Sequence, residues 1–216
     1  PDLDDNYDTS RHLTLQRGVQ DPFPESRQSM HGTSVAGVIA AEANGKGTVG
    51  VAYDATLVGV DIFYDRNFSD AAFRQLDRFD VTNHSWGFSS PYAANVEDRS
   101  WNNFFSGWHS SVETGRNGLG TINVVAAGNS RTINADTNDS NLSSMAEVIT
   151  VAAVGNNGSV SYYSTPGATL LVAAPSNGPR GSGIWTTDRA GDAGYNGHGN
   201  PPPTAGYTDD FGGTSS

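Results

Sequence analysis

The chain of 216 residues contains no cysteine. That excludes a disulfide framework, a thiolate nucleophile and a Cys-ligated zinc site, and it leaves the redox compartment open. Basic residues are also few. Twelve Lys and Arg stand against 23 Asp and Glu, giving a formal charge of -11 and a pI near 4.6. A nucleic-acid binder needs a Lys/Arg footprint that these scattered residues do not supply, so no nucleic-acid partner is expected, whereas cationic substrates and calcium suit the charge. No apolar run approaches the roughly 18 residues of a membrane span. The start, Pro1-Asp2-Leu3-Asp4-Asp5, is not a charged-then-apolar export signal and lacks a Met. A mature or truncated soluble piece is implied, and a Cys-free, acidic chain rich in Gly, Asn and Asp is compatible with bacterial secretion, so a secreted or extracellular location is expected.

What is abundant is glycine. The 26 Gly and 10 Pro, against 16% charged residues, describe many tight turns and close backbone approaches rather than a helical bundle. A hydrophobic content of 36% is enough for a core, and there is neither an internal repeat nor a single-sign charge block, so one domain is expected.

The elements alternate along the chain. Residues 1–30 are polar and loop-like. Val35 to Ala41 is apolar nearly all round, as a buried helix would be, with Gly45 and Gly47 ending it. Ala55 to Val60 reads as a buried parallel strand. Ser69 to Phe79 has helical spacing, with Ser69 as N-cap and Phe73, Leu76 and Phe79 on one face. Residues 81–85, 122–127, 148–153 and 170–174 read as strands, and Asn95 to Asn117, carrying Trp101, Phe104, Phe105 and Trp108, as a helix. This alternation predicts an α/β domain with a mainly parallel sheet and active groups at the strand C-terminal ends.

Three segments carry candidate chemistry. His31-Gly32-Thr33-Ser34-Val35-Ala36-Gly37 puts a histidine where a loop becomes a helix, a place that holds the ring fixed. Val124-Val125-Ala126-Ala127-Gly128-Asn129 ends a buried strand with an amide side chain that reaches an oxyanion, or serves as ordinary Gly-Asn turn chemistry. Gly212-Gly213-Thr214-Ser215-Ser216 is a flexible tail by composition, but small residues around a serine also let a carbonyl approach its Oγ.

Taken together and in this order, these segments resemble the subtilisin family, its kexin and proprotein-convertase branch in particular, whose triad runs Asp, His, Ser and whose oxyanion hole is completed by an Asn side chain. Gly47-Thr48-Val49-Gly50-Val51-Ala52, Asn83-His84-Ser85-Trp86-Gly87, Val172-Ala173-Ala174-Pro175 and Ile184-Trp185-Thr186-Thr187-Asp188 extend the similarity over nearly the whole chain. The resemblance implies a three-layer subtilisin-like α/β domain and a serine endopeptidase. In it Ser215 is the nucleophile, His31 the general base, and Asn129 with the Ser215 backbone N–H the oxyanion donors.

It further implies structural calcium, with ligands from Asp2, the Asn44 side chain and the carbonyls of Lys46 and Thr48, in a Gly-rich turn that otherwise simply ends a helix. Ser85, Trp86 and Gly87 would pair with the substrate residue before the scissile bond, although Trp86 is equally a core residue. Asp136 or Asp139 lies where the kexin branch keeps an acidic pocket for Lys or Arg. Phe88-Ser89-Ser90 departs from that branch's acidic run after Ser-Trp-Gly.

None of Asp2, Asp4, Asp5, Asp8 and Asp21 follows an apolar strand, so no triad aspartate is assigned and one is expected upstream of Pro1. The chain ends one residue after Ser215, before the helix that carries the nucleophile in the family. It therefore reads as a catalytic domain truncated at both ends, inactive by itself, from a monomeric domain of a larger protein acting on protein or peptide substrates. A calcium-stabilised scaffold or binding fragment is the alternative from another class. An α/β-hydrolase is excluded by the His-before-Ser order and the missing Gly-x-Ser-x-Gly elbow.

Overall fold

The structure, a computed structural model, describes residues 2–13, 30–64, 67, 68, 70–178, 183–191, 193–195 and 206–216. They fall into two compact units. One comprises Pro1–Asp61, Arg180–Gly212 and Ser216; the other comprises Ile62–Pro179 and Gly213–Ser215.

The second unit is built on a four-stranded parallel sheet. After a two-residue antiparallel pair, β1 (Phe63–Tyr64) and β2 (Asn67–Phe68), come β3 (Val81–His84), β4 (Ile122–Ala126), β5 (Val148–Val154) and β6 (Leu170–Pro175), adjacent in that order. Parallel register sets His84 beside Val125 and Ala126 beside Val151, so the C-terminal ends of these strands lie along one edge. Against the sheet pack a 3-10 helix, Asp70–Arg78, and the helix α2 (Asn102–Gly118), which is broken near its end by non-helical backbone at Gly115, Arg116 and Asn117. Phe73, Leu76, Phe104, Trp108, Val125 and Leu142 form the core between them. Gly107 is where α2 crosses closest, since a Cβ there would overlap the Phe73 carbonyl. The short helix α3 is Asn141–Ser144. The fold is mixed α/β with a parallel sheet, as the alternating pattern predicted.

In the first unit, helix α1 (His31–Ala40) lies against an antiparallel pair, β7 (Ile184–Thr187) and β8 (Tyr207–Phe211). Close packing is possible because residue 37 is glycine: a Cβ there would overlap the Thr186 and Thr187 hydroxyls.

Several elements differ from their sequence-based expectations. The 55–60 run forms no regular strand; Leu57 and Val60 make single parallel bridges to Tyr7 and Leu13, and the turn Thr9–Arg11 lifts the partner segment away between them. The 70–78 helix is 3-10, which stacks Phe73 directly on Leu76 at i and i+3; it ends at Arg78, and Phe79, beyond it, is only half-buried. The predicted cap, Ser69, lies outside the described residues. Helix α1 stops at Ala40, before the glycines, because Ala41 turns extended and its N–H bonds back to the Gly37 carbonyl; Gly45 and Gly47 instead take left-handed turns in the following loop. Helix α2 starts at Asn102 because Asp98 caps a separate short turn, Arg99–Trp101. Strand β8, Tyr-Thr-Asp-Asp-Phe, has no apolar alternation and so carries no strand signal in the sequence.

Candidate active site

Strand β4 delivers Asn129 through a Gly128 with φ of 93°, a left-handed conformation that glycine takes without strain. The Asn129 side chain is held firmly. Its Oδ1 accepts the Thr214 backbone N–H at 2.9 Å and the Thr214 hydroxyl at 3.1 Å, while the Thr214 Oγ1 accepts the Gly128 N–H at 3.0 Å. Two donors on the oxygen decide which way round the amide sits, so Nδ2 is the end turned out to donate.

The 212–216 segment is not the flexible tail its composition suggested. Gly213, with φ of 84°, is clamped on both sides. Its N–H is shared between Asn177 Oδ1 at 3.0 Å and the Tyr163 hydroxyl oxygen at 3.2 Å, and its carbonyl accepts the Ser176 hydroxyl at 2.7 Å. These three partners come from the end of β6 and from the loop after β5. Ser215, half-buried, faces Ser85: the Ser85 hydroxyl donates to the Ser215 carbonyl at 2.9 Å, and the Ser215 hydroxyl reaches toward the Ser85 carbonyl at 3.4 Å. Ser85 Oγ is itself fixed by an N–H from Asn83 Nδ2 at 2.9 Å. The second unit thus brings Asn129, Ser215 and Ser85 to one edge of the sheet.

His31 belongs to the first unit, as the first residue of α1. Its ring meets Phe211 edge-on, with centroids 5.6 Å apart. Burial lowers its pKa from the ordinary 6.5, favouring the neutral imidazole. The helix bearing it is anchored from strand β7. Thr187 donates to the Thr33 carbonyl at 2.7 Å and Thr186 to the Ser34 carbonyl at 2.8 Å, both from buried positions on β7.

The candidate metal residues also gather in the first unit. Asp2 is 1% exposed, and its carboxylate accepts the Thr48 N–H and the Asn44 amide, each at 3.3 Å, and the Tyr207 hydroxyl. Burial and that carboxylate together push the Tyr207 hydroxyl up to about 12. Asn44 also donates to Glu42 and turns its Oδ1 to the Lys46 N–H at 2.9 Å. No group of three or more His, Asp or Glu gathers at metal-binding spacing among the described residues. Yet a buried carboxylate served only by neutral donors there, beside a second carboxylate and a loop of carbonyls, is a donor set that fits a hard cation.

Asp139 is otherwise engaged. One carboxylate oxygen accepts the Tyr92 hydroxyl at 2.9 Å and the other the Asp136 N–H at 3.4 Å, closing a capping box with Asp136 over the turn Thr137–Asp139. Trp86 turns its ring onto Phe73 of the core, with Gly87 exposed beside it.

Residues 1–216 match the subtilase family of S8 peptidases throughout, so the chain belongs to that family. It is 34% identical over 226 residues to a calcium-dependent protease of Trichormus variabilis, covering 94% of this chain and 32% of that protein. A dibasic-processing endoprotease of Yarrowia lipolytica is 29% identical over 82% of this chain and 18% of its own length. Among solved structures, the serine protease of Aeromonas sobria bound to its chaperone superposes with a TM-score of 0.86 at 25% identity, over all of this chain and 42% of that one. The chain therefore spans at most about a third of the length of these curated relatives. At the level of family it is a subtilisin-like serine protease domain, similar to kexin-type convertases.

Proposed function

We propose that the protein carrying this chain hydrolyses peptide bonds through an acyl-enzyme on Ser215. His31 takes the Ser215 proton as Oγ attacks the substrate carbonyl, then returns it to the leaving amine. Asn129 Nδ2 and the Ser215 backbone N–H stabilise the oxyanion, and water releases the acyl group with His31 again as base. The observation that carries this reading is the double hold of Thr214 on Asn129 Oδ1, which turns the amide N–H outward one residue before the serine. The lowered pKa of His31 supports a neutral base at ordinary pH. No aspartate is assigned as its orienting partner.

The Ser85–Gly87 segment, which follows β3 and lies next to Ser215, is the edge on which the substrate backbone pairs. Basic substrates are not singled out: Phe88-Ser89-Ser90 carries no acid, and Asp139 already accepts the Tyr92 hydroxyl and the Asp136 N–H. Calcium would be held by Asp2, Asn44 and the Lys46 and Thr48 carbonyls, with Glu42 beside them, and would neutralise the buried Asp2 charge. The name of the Trichormus relative agrees with that.

The test is pre-steady-state hydrolysis of a peptide ester by the full-length protein. A burst of leaving group equal to the enzyme present, abolished by Ser215→Ala, is expected. Undiminished turnover in Ser215→Ala would refute the assignment.

A further inference from the structure

Behind the Ser85–Gly87 edge lies a hydrogen-bond chain that the reaction does not use. His84 ends β3 and is 6% exposed. Its ring lies over Phe73 at 6.1 Å and beside Trp108 at 4.4 Å, yet both nitrogens are bonded. The Trp86 indole N–H donates to His84 Nδ1 at 3.2 Å, and His84 Nε2 meets Thr82 Oγ1 at 3.0 Å.

The direction of the chain follows from its far end. Asn123 Nδ2 donates to Ser111 Oγ at 2.9 Å and to the Glu147 carbonyl at 3.2 Å, so its Oδ1 is the acceptor for the Thr82 hydroxyl at 2.6 Å. Thr82 has then used its only proton. The hydrogen between it and His84 must come from Nε2, which leaves Nδ1 bare to receive Trp86. One neutral tautomer satisfies every link, and burial agrees, holding the imidazole pKa down to about 3.

His84 closes β3, and the Trp86 ring, two residues on, meets the same Phe73 ring of the core. His84 and Trp86 are thus tied together across Ser85 on the core side, while Ser85 faces Ser215. Burial alone demands partners for both nitrogens; what is particular here is that the partner on Nδ1 is Trp86, a residue of the Ser85–Gly87 edge itself.

Building on the peptidase reading above, we propose that His84 is a positioning residue for substrate binding: through Nδ1 it seats Trp86 and so fixes the Ser85–Gly87 edge on which the substrate backbone pairs.

The test uses three variants of the full-length protein: His84→Phe, which keeps a ring but no nitrogen; His84→Asn, which restores an acceptor near Nδ1; and Trp86→Phe, which removes the donor. Each is assayed with an extended peptide ester and, separately, with a small alkyl fluorophosphonate that has no peptide to pair. His84→Phe should raise KM about fivefold, the worth of one hydrogen bond of about 1 kcal/mol, with kcat and the labelling rate within about twofold. His84→Asn should recover most of the loss. Trp86→Phe should match His84→Phe, and the pair together should be no worse than either.

The inference is overturned if labelling and kcat fall in step with KM, if Asn performs no better than Phe, or if the two substitutions add. Should His84→Phe fail to fold, His84→Gln, which keeps a donor toward Thr82 but no acceptor at the Nδ1 position, decides: a raised KM with normal labelling upholds the inference, and an unmoved KM overturns it. Failure of the unsubstituted protein to label at Ser215 overturns the peptidase reading and this inference together, whereas labelling with an unmoved KM overturns this inference alone.

Discussion

Thr214 gives both of its donors, backbone N–H and hydroxyl, to the single oxygen Asn129 Oδ1, at 2.9 and 3.1 Å. The residue next to the proposed nucleophile therefore sets the orientation of the proposed oxyanion donor.

Asn129→Ala should lower kcat about 10²–10³-fold with little change in KM, because the amide donates mainly to the charged transition state. That magnitude is the known value for the oxyanion asparagine of subtilisin, carried over to this member of its family. Steady-state kinetics with a peptide ester decide it, and a pure KM effect would make Asn129 a substrate-binding residue.

The acid limb of kcat/KM should fall below the ordinary histidine value of 6.5, because burial disfavours the His31 imidazolium. The base is lost only once the imidazole is protonated, so a lowered pKa extends activity toward acid. A pH profile whose acid limb lies at or above 6.5 would contradict this.

The main strands of the sheet were legible because they are short, largely apolar runs bounded by polar and turn residues, and 81–84, 122–126, 148–154 and 170–175 lie within a residue or two of their expected ends, although 170–175 is mostly exposed rather than buried. The site was legible only in part. His31, Asn129 and Ser215 stand in motifs of small residues, whereas the groups that hold them are Thr186, Thr187, Tyr163, Ser176 and Asn177. Those lie up to 154 residues away from their partners, and polar side chains of this kind leave no periodic trace. Strand β8 was missed for a related reason: it pairs Thr208 with Thr186 through the backbone, not through an apolar pattern.

Calcium should stabilise the full-length protein by about 2.7 kcal/mol at roughly 100 times Kd, and so raise its thermal midpoint, since only the folded chain gathers the ligands. Asp2→Asn should remove most of that shift by removing the buried charge the cation offsets. Calorimetry with and without chelator tests it, and a midpoint indifferent to chelation would eliminate the metal.

Acid should destabilise the fold through His84. Its native pKa is about 3 against 6.5 unfolded, so its contribution is complete above pH 6.5. As pH falls below 6.5 the unfolded chain takes up a proton that the native chain refuses, and stability drops by about 1.4 kcal/mol per pH unit until the native ring titrates. Urea denaturation at several pH values should show this slope diminished by one proton in His84→Asn. An unchanged slope would mean that His84 is already protonated in the native state.

The central claim, that Ser215 is the activated nucleophile of a subtilisin-like site, is tested most directly by mapping where a fluorophosphonate attaches. The full-length protein should carry one adduct, on Ser215 Oγ, and should lose it in His31→Ala. An adduct on Ser216, or on any other serine, or no adduct at all, would contradict the assignment.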